Sequence, residues 1–252
     1  MTVAIRFTNV SKRFRLNHQK PFLAREILRM ITQRPSQVHE HWALREISFE
    51  VRHGETVGVI GRNGAGKSTL LGLIARTMYP TSGTVEVHGN VGPLLELGAG
   101  FHPDLTGLEN IYLNGLLLGL SRRQIETRLD AIVDYAEIGK FLDTPISTYS
   151  TGMRARLGFA VVAHVDPEIL ILDEVLGVGD QQFQIKCQRT LDRFRGEGKT
   201  LFFVSHSLPA VERLCDRALW IEAGALRASG PASEVTQRYA ATATAPAPEA
   251  SA

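Results

Sequence analysis

Residues Gly61, Arg62, Asn63, Gly64, Ala65, Gly66, Lys67 and Ser68 place three glycines, a lysine and a hydroxyl at a spacing that suits one task, gripping a polyphosphate. The glycines let the backbone curl so that successive N–H groups face a β-phosphate. Lys67 reaches the β and γ oxygens, and the Ser68 hydroxyl is placed for Mg2+. The stretch follows "ETVGVI" and precedes "TLLGLIARTM", so the order is buried strand, glycine-rich turn, helix.

Three further groups extend this chemistry. "ILILDE" (169–174) runs four apolar residues into two carboxylates, the pattern of a buried strand ending at a ligand-binding edge. There Asp173 is expected in the Mg2+ shell, with Glu174 facing the γ-phosphate to polarise a water. His206 in "FFVSHS" follows another buried strand and is expected to touch the γ-phosphate. "YSTGM" (149–153) sets small polar residues where a helix begins, which leaves N–H groups and the positive end of a helix dipole facing outward. One phosphate loop occupies one side of a nucleotide, so this second anion-binding helix start needs another partner. The simplest arrangement is two chains head to tail, with Ser150 and Gly152 of one capping the γ-phosphate held by Lys67 of the other.

The elements that must position these groups are legible in outline. "VAIRFTNV" and "REISFEV" alternate as half-buried antiparallel strands do, and "GTVEVHG" reads as another strand. Capping-box spacing at Thr106/Glu109 and Ser121/Gln124 starts helices near 107 and 122, so the middle third is mainly helical. From Pro167 the strands "EILILD", "TLFFVSH" and "RALWIEAG" alternate with helices over about 181–195 and 208–215, which predicts a parallel, helix-covered sheet. A last helix near 232–240 leads into the Ala/Pro-rich stretch 241–252, expected to be disordered or a linker.

Composition sets bounds. The chain has 252 residues, is 44% hydrophobic and carries a net charge of +2, enough for a substantial core. It holds no apolar run of about 18 residues and no apolar core near its first residues, so a cytoplasmic location is expected. Its two cysteines, Cys187 and Cys215, fit reduced thiols rather than a disulfide framework or a metal site. Charge concentrates between Ser11 and His41, where seven Lys/Arg face two acidic residues.

In order and spacing these groups resemble an ABC-transporter ATPase over about residues 3–240, with Lys67 and Ser150 83 residues apart and Asp173 23 further on. The resemblance implies an α/β fold of the ABC P-loop type: a mostly parallel helix-flanked core sheet, an N-terminal antiparallel β subdomain, and a helical subdomain (about 100–160) carrying the signature motif. Residues 61–69, ending in Thr69, correspond to the phosphate loop, and 149–153, with Ser150, Thr151 and Gly152, to the signature. Residues 169–174 correspond to the acidic strand, Asp180 to the D-loop aspartate and His206 to the switch histidine. ATP and Mg2+ are the implied cofactors.

Departures from the common pattern point to one branch. "YSTGM" stands for LSGGQ, "DEVLGVGD" for DEPTSALD, and "LLELGAGFHPDLTGLENIYLNG" lacks the usual glutamine, leaving Glu96 as the candidate for coupling or Mg2+ duty. With "GVGDQQFQIKC", these are similar to the ATP-binding subunits that export O-antigen, teichoic acid or capsule polysaccharides made on a lipid carrier. The resemblance implies a second copy of the chain, two copies of a transmembrane permease, a lipid-linked polysaccharide as cargo, no nucleic acid, and a place on the cytoplasmic face of the inner membrane. Phe14 occupies the place of the family's adenine-stacking aromatic, with Trp42 as the alternative. Residues 16–41 form an insertion, expected to be helical, with Phe22, Leu23, Ile27, Met30 and Ile31 near one face. That helix packs on its own domain or lies beside an anionic membrane surface. Two rivals are weighed. A soluble ABC ATPase of translation or DNA maintenance usually carries two cassettes or a long coiled-coil insert, and a P-loop kinase or GTPase has no use for the helix start at Ser150.

Overall fold

Alternating side chains make the start of the chain a long two-stranded ribbon. β1 (Val3–Leu16) and β2 (His39–Arg52) pair antiparallel, and β4 (Ser82–Val87) joins the other edge of β1. The architecture is that of a computed structural model, which describes residues 2–16, 39–94, 100–173 and 180–243. The expected insertion therefore differs at its borders. Leu16 and His39 through His41 are strand, paired in one register with Leu16 opposite His39 and Phe14 opposite His41. Residues 17–38 lie outside the described residues.

The second sheet has the order β5-β6-β7-β3-β8-β9. β3 (Thr56–Ile60), β5 (Val91–Leu94), β6 (Ile169–Asp173), β7 (Thr200–Val204) and β8 (Arg217–Glu222) run parallel, and β9 (Ala225–Pro231) returns antiparallel. That return hangs on a two-residue turn, Ala223 and Gly224, both at positive φ (47° and 78°), the geometry that matches the twist of paired strands.

Because successive strand residues face opposite sides, one sheet serves two cores. Ile169, Ile171, Phe202, Val204, Leu219 and Ile221 pack with α1 (Lys67–Ile74) and the inner face of the antiparallel sheet, where Phe7 stacks on Phe49 at 4.6 Å. Leu170, Leu172, Leu201, Phe203, Ala218 and Trp220 pack with the helices on the other side. α2 (Gly107–Leu117), α3 (Arg122–Ala136) and α4 (Thr151–Val165) enclose a third core around Ile111, Ile125, Ile132 and Leu157. α4 belongs to both layers, giving Phe159 and Val162 to the sheet and Leu157 and Val161 to the helices. α5 (Gln181–Gly196), α6 (Leu208–Leu214) and α7 (Ala232–Ala243) complete the cover.

Both expected capping boxes, at Thr106/Glu109 and Ser121/Gln124, are formed. The sequence reading did not anticipate β5 or β9.

Candidate nucleotide-binding site

Three strand ends converge at the carboxyl edge of the parallel sheet. β3 delivers the loop 61–66, β6 ends at Asp173, and β7 ends at Val204, whose Cα pairs with that of Asp173 two residues before His206. Such an edge is where open α/β sheets bind ligands. The loop is held from outside: Gly224 N–H donates to Ala65 O at 3.0 Å, and Arg45 N–H to Gly224 O at 2.7 Å. Two glycines are required by close approach. A Cβ on Gly61 would lie 2.2 Å from Ile221 O, and one on Gly66, at φ +108°, 2.4 Å from Ala43 O. Both obstacles are backbone, which cannot swing aside.

Lys67 opens α1 and is 8% exposed, so its charge is largely taken out of water. Its Nζ donates to Gly61 O (2.8 Å) and Arg62 O (3.2 Å) and lies 3.4 Å from His206 Nε2. An ammonium has only donors, so a bond there uses the lone pair of Nε2. His206 is held in a short turn in which Ser207 N–H donates to Ser205 Oγ at 3.0 Å. The cavity above these groups, about 400 Å3, is lined by Phe14, His41, Ala43, Lys67, His206 and residues of the loop and first helical turn, Asn63, Gly64, Gly66, Ser68 and Thr69. Ser68 is exposed there, and its hydroxyl is the oxygen donor chemistry that suits Mg2+. Glu174 and Glu96 lie outside the described residues, and Asp173 is described by its backbone alone.

Ser150, Thr151 and Gly152 open a helix, as their residue types predict, and stand elsewhere. Ser150 caps α4, its Oγ accepting from Met153 N–H at 3.1 Å, and Thr151 and Gly152 form the first helical positions. None of the three lines the Lys67 cavity. Asp180, expected at the nucleotide, has both carboxylate oxygens engaged within its own chain. Oδ1 accepts from Phe183 N–H at 2.9 Å as the cap of α5, and Oδ2 pairs with Arg156. Arg156, which the sequence reading did not single out, also pairs with Glu137 at 2.9 Å and covers the Phe183 ring at 5.4 Å. This cluster ties the end of α3 and the body of α4 to the start of α5.

A larger cavity of about 720 Å3 opens at the opposite edge of the sheet, among Glu50, Arg52, His53, Gly54, Glu55, Asp216 and Arg217. Internal pairs there engage Glu55 with Arg217 at 2.6 Å and Asp216 with Thr56 N–H at 2.9 Å, and the glycine-rich loop lies at the smaller one.

A phosphate loop and a histidine meeting over a parallel sheet, flanked by an antiparallel ribbon and a helical layer, define an ATP-binding cassette. Residues 44–177 match the ABC transporter family, and the chain belongs to it. It is 48% identical over 242 residues to an O-antigen export system ATP-binding protein, RfbB, of Klebsiella pneumoniae, covering 95% of this chain and 98% of that one. It is 43% identical over 239 residues to a teichoic acids export ATP-binding protein, TagH, of Bacillus anthracis, covering 95% of this chain and 43% of that one. In structure it is similar to the dimeric, post-hydrolysis ATP-binding cassette MJ0796 bound to ADP and Pi, at a TM-score of 0.72 and 20% identity, over 90% of this chain and 98% of that one. At that identity the likeness carries the fold. Among the described residues no helix is long and apolar enough to cross a membrane.

Proposed function

We propose that this chain is the ATP-binding and ATP-hydrolysing subunit of an ABC exporter that moves a lipid-linked polysaccharide, of O-antigen, teichoic acid or capsule type, across the inner membrane. The observation that carries the ATPase reading is the meeting of Lys67 and His206, 3.4 Å apart, in one cavity with the glycine-rich loop. The cargo reading is supported by the similarity to export ATP-binding proteins for O-antigen, RfbB, and teichoic acids, TagH. The working form is a dimer beneath two copies of a permease, on the cytoplasmic face.

In this reading Lys67 and the loop N–H groups hold the β- and γ-phosphates of ATP. Ser68 and Asp173 supply oxygen donors for Mg2+, which when bound offsets phosphate charge, and Glu96 is a further candidate. Glu174 orients or deprotonates the attacking water, and His206 steadies charge on the γ-phosphate. Ser150, Thr151 and Gly152 of a second copy close the site, the outward Ser150 O–H and the helix N–H groups being donors for the γ-phosphate. Phe14 stacks on the base. The two Asp180 side chains lie near the seam between copies.

Purified Glu174→Gln protein tests this reading. It should bind ATP, sediment as a dimer only when ATP is present, and turn over about 10²–10⁴-fold more slowly than the natural chain. A monomer at saturating ATP contradicts the head-to-tail sandwich, and near-normal turnover removes Glu174 from its role.

A further inference from the structure

We propose that His41 is a second base-contacting residue, forming with Phe14 a two-ring platform that makes the site selective for a purine nucleotide. The inference rests on the nucleotide-binding reading above and goes beyond it in assigning the residue that reads the base.

The placement follows from strand register. Phe14 and His41 are direct partners across the antiparallel β1/β2 pair. Direct partners project to the same face, with Cβ atoms roughly 4.5–5.5 Å apart, so both side chains rise from one face of the ribbon. Both line the cavity that contains Lys67 and the glycine-rich loop. One cavity thus holds a phosphate grip and two flat rings, the outline of a nucleoside triphosphate.

Neighbouring residues set the orientation of the platform. The Lys12 ammonium stands over the Phe14 ring, 5.2 Å from its centroid, and is fixed by donating to Tyr79 O at 2.7 Å. Lys12 is not among the residues that line the cavity. Trp42 follows His41 in the strand and therefore faces the other way. Its partner across the pair is Arg13, whose guanidinium lies 5.4 Å from the indole centroid. Arg13 is itself anchored to Glu40 at 2.9 Å. The alternation of β2 thus turns Trp42 toward the arginine and His41 toward the cavity.

His41 is exposed at the cavity mouth, where a bound base would cover it. A single Phe underlies one ring of a base, and a second ring beside it extends the support to the width of a purine. The imidazole adds a polar edge for hydrogen bonding that a phenyl ring lacks. A pyrimidine spans less of the platform, so removing His41 should cost ATP more than CTP.

Calorimetric binding of ATP, CTP and inorganic tripolyphosphate to the natural chain, His41→Ala, His41→Phe and Phe14→Ala tests the assignment. His41→Ala should weaken ATP by about five- to a hundredfold and CTP by clearly less, in the range expected for loss of one stacking contact. Tripolyphosphate, which has no base, should bind all four proteins alike and so reports that the loop is intact. His41→Phe should recover ATP affinity to within about threefold, since it restores the ring. An unchanged ATP affinity and ATP-to-CTP ratio in His41→Ala would overturn the proposal. So would an equal loss for tripolyphosphate, because the substitution would then act on the loop rather than on the base. A natural chain that binds neither ATP nor tripolyphosphate would contradict the nucleotide reading itself, whereas normal ATP binding with an indifferent His41→Ala contradicts this assignment alone.

Discussion

Lys67 was legible from sequence because its task is local. The glycines that shape its loop, the strand before and the helix after are all within a dozen residues, and the structure keeps its ammonium buried against Gly61 O and Arg62 O. His41 and Arg156 were not, because their partners are remote: Phe14 across a segment of 26 intervening residues, and Asp180 on another helix. Single residues also set the response to acid. His164, in the last turn of α4, donates from Nδ1 to Ala160 O at 2.7 Å, with the Tyr135 ring edge-on at 5.5 Å. Burial, then the nearby cations Arg193, Arg128 and Lys186, hold its pKa below the ordinary 6.5. Above that value the imidazole is neutral in folded and unfolded chains alike. As pH falls through it, the unfolded chain takes up a proton that the folded chain still refuses, so stability drops. The urea midpoint of the natural chain should therefore fall further between about pH 7.5 and 5.5 than that of His164→Asn. Parallel curves for the two proteins would contradict this role. The Cys187 and Cys215 thiols, pushed up to about 12 by burial, stay protonated over the same range.

At the scale of elements, what was readable is what the chain encodes over a few residues. The capping boxes at Thr106 and Ser121 announce α2 and α3 because both halves of each box lie three residues apart. β5 was missed because Pro93 argues against a strand, yet β5 lies at the edge of its sheet, where a proline is tolerated. β9 was missed because its turn uses Ala223 at positive φ, a position that sequence patterns assign to Asn, Asp or Gly. Asn110 gave no signal either, being a polar residue inside an amphipathic helix. It is fully buried and clamps the loop before α2, its Nδ2 donating to His102 O (3.1 Å), Leu105 O (3.0 Å) and Thr106 O (2.9 Å) and its Oδ1 accepting from His102 N–H (2.8 Å). Asn110→Ala takes the acceptor from His102 N–H and the side-chain donor from three carbonyls that each keep a backbone N–H partner, and should lower unfolding free energy by about 1–3 kcal/mol, read by urea denaturation. A loss under about 0.5 kcal/mol, the scatter of surface substitutions, would mean that water replaces the clamp.

At the scale of the whole molecule, the mostly parallel sheet, the antiparallel ribbon and the helical layer were all foreseeable from the order of strand and helix patterns. Their joining was not. α4 shares its faces between the sheet core and the helical core, and the Glu137–Arg156–Asp180 cluster fastens that helix to the one that follows β6. α4, which Ser150 caps, is therefore joined through packed structure to the sheet whose edge carries the Lys67 cavity, as the proposed closing of two copies on ATP requires. The measurement that tests the central claim most directly is made in the source cell. The gene is replaced with its Glu174→Gln form, and long-chain lipid-linked glycan is quantified inside the cytoplasmic membrane and at the surface. The account predicts internal accumulation with loss from the surface. An unchanged distribution, with the variant expressed and inactive as an ATPase, would contradict polysaccharide export as the work of this chain.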